Sequence, residues 1–216
     1  MLLFPIGIIA QTEKDTEPRN ESYIATDVLS PFFIHYRGEY FTPRWRLGYI
    51  KNLNENSKIG IDIGYGNANI SLISTGDKYS LWEIRPEYYH IINPNRKTLK
   101  YFSVEMFYSN QKEEFLNQAF FNDKNQYLTF EKADYNRQKF GIIPKFGMFV
   151  NLGNRIGLNL YTGVGLNCRV NNYSNFVNLS ESQFDEEHFP PYYRDEGNRI
   201  GLEFTLGMKL YYRIKN

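Results

Sequence analysis

The stretch Arg155-Ile156-Gly157-Leu158-Asn159-Leu160-Tyr161-Thr162-Gly163-Val164-Gly165-Leu166-Asn167-Cys168-Arg169-Val170 changes character at every step. Ile156, Leu158, Leu160, Thr162, Val164, Leu166, Cys168 and Val170 form one row, while Gly157, Asn159, Tyr161, Gly163, Gly165, Asn167 and Arg169 fill the gaps. The pattern returns between Arg199 and Ile214. There Ile200, Leu202, Phe204, Leu206, Met208, Leu210, Tyr212 and Ile214 alternate with Gly201, Glu203, Thr205, Gly207, Lys209, Tyr211 and Arg213. Successive side chains of a strand point to opposite faces, so each stretch is a long strand with one apolar face and one face of glycine, charge and phenol.

Working outward, the turn Asn151-Leu152-Gly153-Asn154 joins the first stretch to a strand in which Phe140, Ile142, Pro144, Phe146 and Met148 oppose Lys139, Gly141, Lys145 and Gly147. Further back, Phe102, Val104, Met106 and Tyr108 oppose Tyr101, Ser103 and Glu105, and Trp82, Ile84, Pro86, Tyr88 and His90 oppose Glu83, Arg85, Glu87 and Tyr89. Ile59, Ile61, Ile63 and Tyr65 alternate with Gly60, Asp62, Gly64 and Gly66, and Trp45, Leu47 and Tyr49 with Arg44, Arg46 and Gly48. A less regular first strand spans Tyr23 to Phe33. Pro86 and Pro144 each lack a ladder donor, which predicts local bulges.

These segments make about eight strands whose connections alternate long and short. That alternation predicts an all-β, eight-stranded antiparallel up-and-down transmembrane β-barrel with short periplasmic turns and long outer loops. A soluble lipocalin-like barrel, apolar inside and polar outside, is the main alternative. Glycine separates the two: Gly48, Gly60, Gly64, Gly141, Gly147, Gly157, Gly163, Gly201 and Gly207 all fall in the polar row. Glycine has little packing use on a watery face, whereas a narrow lumen filled by long charged side chains needs small neighbours. Trp45, Tyr49, Trp82, Tyr88, Phe102, Tyr108 and Tyr212 stand in the apolar row towards strand ends, where interfacial belts belong. A Gly-x-Trp lipocalin signature precedes neither Trp45 nor Trp82.

At 216 residues the chain suits one barrel. A formal charge of +1 leaves no basic excess to neutralise nucleic-acid phosphates. Cys168 is the sole cysteine, so no disulfide framework or cysteine-based metal centre is available. Residues 1–10 form an apolar run ending at Ala10 and read as a truncated signal peptide; residues 11–22 read as a polar leader and 23–216 as the barrel.

Over Tyr23 to Asn216 the chain resembles the small OmpA-like outer-membrane β-barrels of Bacteroidota, most of them of unknown function. The likeness lies in Leu29-Ser30-Pro31, Arg85-Pro86-Glu87-Tyr88-Tyr89, Gly163-Val164-Gly165 and Gly207-Met208-Lys209-Leu210-Tyr211-Tyr212. It implies a bacterial outer-membrane location and folding by the barrel assembly machinery. Such barrels often end on an aromatic residue, whereas this chain continues through Arg213-Ile214-Lys215-Asn216.

The polar row supplies the candidate functional residues. Asp62, Glu83, Arg85, Glu87, Glu105, Lys139, Lys145, Arg169, Glu203 and Lys209 would share the lumen, with Asp27, Arg44, Arg46 and Arg213. Charges removed from water require partners, and an eight-stranded interior is just wide enough for side chains to fill, so these residues are expected to pair into a plug. The competing reading is a narrow pore or transporter. Glu83 and Glu87 could be imagined as a glycosidase-like pair, but nothing singles them out from the network. His35, His90 and His188 show no metal-ligand spacing, and His90-Ile91-Ile92 lacks the His-x-Ser pair of outer-membrane lipid A deacylases. The chain is therefore expected to need no cofactor and to carry no catalysis, with a membrane lipid-modifying enzyme as a third reading. Binding, if any, is expected in the loops 111–136 and 171–198, where Glu181, Asp185, Glu186, Glu187, Tyr192 and Tyr193 combine acid with aromatics. Outer-membrane lipid, lipopolysaccharide and a possible extracellular ligand are the expected partners.

Overall fold

A computed structural model describes residues 21–32, 42–182 and 194–215. The apolar run over residues 1–10, most of the polar leader, His35 and the span 183–193 lie outside the described residues. The strands are β1 (Glu21–Asp27), β2 (Trp45–Asn54), β3 (Ser57–Asn67), β4 (Asp77–Ile91), β5 (Thr98–Phe121), β6 (Tyr127–Asn151), β7 (Ile156–Val177), the two-residue β8 (Ser180–Glu181) and β9 (Gly197–Lys215). A 3-10 turn, Ser30–Phe32, follows β1.

Eight of these strands close a ring. Neighbours in sequence pair antiparallel from β1 to β7, β9 pairs β7, and β1 pairs β9. β8 only extends β6, through Leu128↔Glu181 and Thr129↔Ser180. Following register partners once round, from Leu210 through Thr26, Leu47, Ile63, Ile84, Tyr108, Phe140 and Cys168, returns to β9 at Ile200. The ring therefore closes with a stagger of ten residues, the difference between 210 and 200. Eight strands tilted by such a stagger leave an interior that side chains can fill.

Both ends of the ring and the turns between β2 and β3, β4 and β5, and β6 and β7 lie at one end, called here the turn end. At the other end the described residues of the spans 111–136 and 171–198, expected as loops, are in large part strand: β5 and β6 stay paired up to Phe121↔Tyr127, and β7 pairs β6 up to Val177. β1 is shorter than expected. Asp27 accepts the backbone N–H groups of Leu29 and Ser30 at 2.9 Å each, which ends the strand and starts the 3-10 turn.

The prolines produce no bulge. Register is identical on both sides of Pro86 in the β4–β5 ladder and of Pro144 in the β6–β7 ladder; the ladder simply skips each proline. Both rings point outward, and each proline keeps its pairing on the other side, with Ile61 and Val104. A missing donor thus weakens one ladder locally without shifting it.

Within the ring, below the extended parts of β5 and β6, the two rows of the strands separate. Ile200, Leu202, Phe204 and Leu206 are 77%, 63%, 66% and 71% exposed on the outside, while the glycine and charge rows turn inward. Among the described residues no helix is long and apolar enough to cross a membrane, which says nothing about strands.

Candidate functional site: the filled lumen

The interior is layered along the barrel axis. At the turn end Tyr23, Ile50, Tyr89, Ile91, Leu99, Tyr101, Phe149, Tyr161 and Tyr211 form a buried apolar cluster. Phe149 is its hub, with ring centroids of Tyr101 at 5.0 Å, Tyr89 at 5.8 Å, Tyr211 at 5.8 Å and Tyr23 at 6.1 Å. Edge-to-face and tilted contacts of this kind add to simple burial. Lys58 enters the cluster from β3, donating to Tyr23 Oη at 3.0 Å and Asn52 Oδ1 at 2.6 Å.

Above it the charges form one continuous network. Arg46 joins Asp27 at 2.9 Å to Glu83 at 2.8 Å; Arg85 joins Glu83 at 3.1 Å to Glu105 at 2.6 Å. Lys145 joins Glu105 at 2.5 Å to Glu87 at 3.1 Å, and Lys209 joins Glu87 at 3.8 Å to Asp62 at 2.5 Å. Arg44 binds Glu83 at 2.6 Å. Five carboxylates thus meet five cations, drawn together from seven strands and the residue preceding β2. Neutral donors complete the shells: Tyr161 Oη donates to Asp27 at 2.8 Å, Ser103 Oγ to Glu87 at 2.6 Å and Tyr89 Oη to Glu87 at 2.8 Å. Ions this deeply buried persist only with such pairing and hydrogen bonding.

Of the ten expected lumen residues, Asp62, Glu83, Arg85, Glu87, Glu105, Lys145 and Lys209 belong to this network. Lys139 and Glu203 form a separate pair above it at 2.6 Å, and Asn167 donates to Glu203 at 2.9 Å. Arg169 is buried on β7 between Lys139 and Arg199 in register. Glu181 is exposed on β8, whereas Asp185, Glu186, Glu187, Tyr192 and Tyr193 lie outside the described residues.

Two parts of the interior escaped sequence reasoning. The first is the packing of the turn-end aromatics around Phe149: Tyr89, Tyr101, Tyr161 and Tyr211 stand in the inward rows of the sequence pattern, but which rings meet depends on the register between strands. The second is an outer cluster of Phe115, Phe120, Phe130, Ala133, Tyr135 and Tyr173 between the extended parts of β5, β6 and β7. Arg194 lies 4.1 Å above the Phe115 ring and donates to Gln118 at 2.6 Å, while Tyr173 Oη donates to the Arg194 carbonyl at 2.7 Å. Parity could have added Phe149 and Tyr173, each of which shares a row with the lumen charges of its own strand.

Every carboxylate of the network is paired with a cation. Glu83 receives three guanidinium groups, and Glu105 receives a guanidinium and an ammonium. Among the described residues no group of three His, Cys, Asp or Glu side chains is placed to hold a metal ion. His90 points outward on β4, opposite Phe102 on β5.

No family model matches the chain, and no curated protein matches it. Among solved structures it is similar to a major outer membrane protein from Thermus thermophilus, at 11% identity and a TM-score of 0.45, over 90% of this chain and 99% of that one.

Proposed function

We propose that this chain is an integral β-barrel of a bacterial outer membrane, with a closed lumen and a structural or surface-recognition role. The observation that carries this reading is the outward surface. On β5 the outward row runs Lys100, Phe102, Val104, Met106, Tyr108, Asn110, so polar residues bound an apolar stretch. The ten steps from Lys100 to Asn110, of about 3.3 Å each at a tilt of about 40°, set these polar limits about 25 Å apart, room for the apolar band of an outer-membrane barrel between them.

Aromatics border that band on both sides. Towards the turn end, Tyr49 donates to Ser22 Oγ at 2.9 Å, Tyr88 shares a hydrogen bond with Ser57 at 2.9 Å, and Tyr212 accepts from Arg155 at 3.0 Å. Towards the other end, Trp45 Nε1 donates to the Ile70 carbonyl at 3.1 Å, and Trp82 packs on Tyr108 at 5.1 Å between centroids. Rings with one apolar side and one hydrogen-bonded tip suit the membrane–water interface. A lipocalin-like soluble barrel would have to leave this apolar exterior in water, at odds with how soluble surfaces limit apolar patches.

The turn end faces the periplasm in this reading, and the extended β5, β6 and β7 face outward towards lipopolysaccharide and any extracellular ligand. The role has no catalytic step, since each lumen carboxylate is already bound to cations. Cell fractionation with heat-modifiable gel mobility tests the placement. The protein should pellet with outer membranes and run faster unboiled than boiled; recovery as a soluble periplasmic protein would overturn it.

A further inference from the structure

Beyond the aromatic belt at the turn end, the outer surface becomes positively charged. Lys51 on β2, Arg96 between β4 and β5, Lys100 on β5 and Arg155 before β7 are all exposed there, and Glu55 is the sole exposed carboxylate at that end among the described residues. Lys51 lies two residues past Tyr49 and Lys100 two residues before Phe102, on the same outward rows. Each lysine is therefore attached about 6.6 Å further along its strand, about 5 Å nearer the turns at a tilt of about 40°, than a belt ring. Arg155 touches the belt directly through Tyr212. The inward cations of this end are occupied elsewhere: Lys58 by Tyr23 and Asn52, and Arg213 by Glu21 at 3.3 Å and Asn151 at 2.6 Å.

Among the described residues the opposite end has no such bias: its exposed charges mix Lys112, Lys124 and Lys78 with Asp77, Asp123, Glu131 and Glu181, and Glu114 takes both Lys78 and Lys132. Among them the basic collar is thus a property of one rim. Just outside an aromatic belt is the depth at which the phosphates of a leaflet lie, and long basic side chains run along apolar surface to reach them.

We infer that Lys51, Arg96, Lys100 and Arg155 form a collar that binds the phosphate groups of anionic phospholipids in the leaflet at the turn end. The inference rests on the membrane reading above and adds a lipid preference to it. The contact is a charge-assisted hydrogen bond from ammonium or guanidinium to a phosphate oxygen. It holds the barrel at a fixed depth and orientation.

The full chain, reconstituted in phosphatidylcholine bilayers, tests this with spin-labelled lipids, whose motionally restricted fraction reports the lipid at the protein surface. Spin-labelled phosphatidylglycerol should be preferred over spin-labelled phosphatidylcholine by about threefold or more at low ionic strength, falling towards parity in about 1 M salt. The variant K51Q/K100Q/R155Q should lose the preference, K112Q/K124Q should keep it, and K100Q alone should lower it in part. Unboiled gel mobility establishes that each variant is folded. Equal restriction of the two lipids, or an unchanged preference in the triple variant, would overturn the collar. Inorganic phosphate that abolishes the preference where chloride of equal ionic strength does not would instead identify a free-phosphate site and overturn the lipid assignment. Absence of any restricted lipid would sink the membrane reading itself, a separate outcome.

Discussion

At the scale of single residues, the lumen is organised by glycine facing bulk. Tyr161 is the register partner of Gly207, Tyr101 of Gly147 and Asp62 of Gly48. In each pair the large side chain lies across the glycine, so that a methyl group there would overlap it. Tyr161 has no room to retreat: it is 4% exposed, hydrogen-bonded to Asp27, and packed under Lys145 at 4.4 Å from its ring centre. Gly207→Val should therefore destabilise the barrel by about 1–3 kcal/mol, the usual range for overpacking a filled interior. Gly153→Val, in the β6–β7 turn with open space around it, should be nearly neutral. Urea titration of folded mobility in detergent measures both, and equal effects would refute the notch. The glycine row was legible in the sequence, and so was its reason in general terms. The individual partners were not, because they depend on a register that no single strand contains.

At the scale of elements, the extended β5–β6 hairpin departs most from its reading as a loop. Its periodicity is broken where Asn117 adopts a φ of 50° and where register shifts between Lys132 and Asp134, so residues past Gln111 lose the clean alternation that marks the barrel strands below. Two adjacent carboxylates there, beyond the apolar band, titrate in opposite directions. Burial holds Glu113 above the ordinary carboxylate range, although Gln111 and the Gly76 N–H each donate to it at 3.0 Å. Hydrogen bonds from Lys132 and Lys78 hold Glu114 below that range. The Glu114 contribution is thus present above the ordinary carboxylate value and lost as pH falls through its lowered folded value. The Glu113 contribution is present below the ordinary value and lost as pH rises through its raised one. Carboxyl NMR titration in micelles should find the two midpoints on opposite sides of the ordinary value. At neutral pH, Glu113→Gln should leave amide exchange across β5–β6 no faster than in the parent; faster exchange would show that the charged form supports the hairpin.

For the whole molecule, the question is whether anything passes through the ring. The eight strands and the two faces were legible from period two and from alternating turn lengths, because lipid and lumen impose opposite demands on successive side chains. The ten-residue stagger was not, since it is the sum of eight registers round the ring. How the lumen closes was only half legible. The charges were expected to plug it, yet the described interior carries two barriers in series: the neutral ion network and, nearer the turns, the aromatic cluster around Phe149. Opening one leaves the other. Planar-bilayer recordings of the purified protein should show no steady unitary current, and F149A/Y101A, which thins only the aromatic layer, should stay silent as well. Trimming Phe149 and Tyr101 creates a cavity that destabilises the fold, by about 3–5 kcal/mol for a buried aromatic cut to alanine, so unboiled mobility must show that the tested protein is folded. Steady conductance in the parent would overturn the closed lumen altogether. Conductance confined to the F149A/Y101A variant would place the seal in the aromatic layer and make the ion network a permeable filter, with five fixed carboxylates and five fixed cations lining the path.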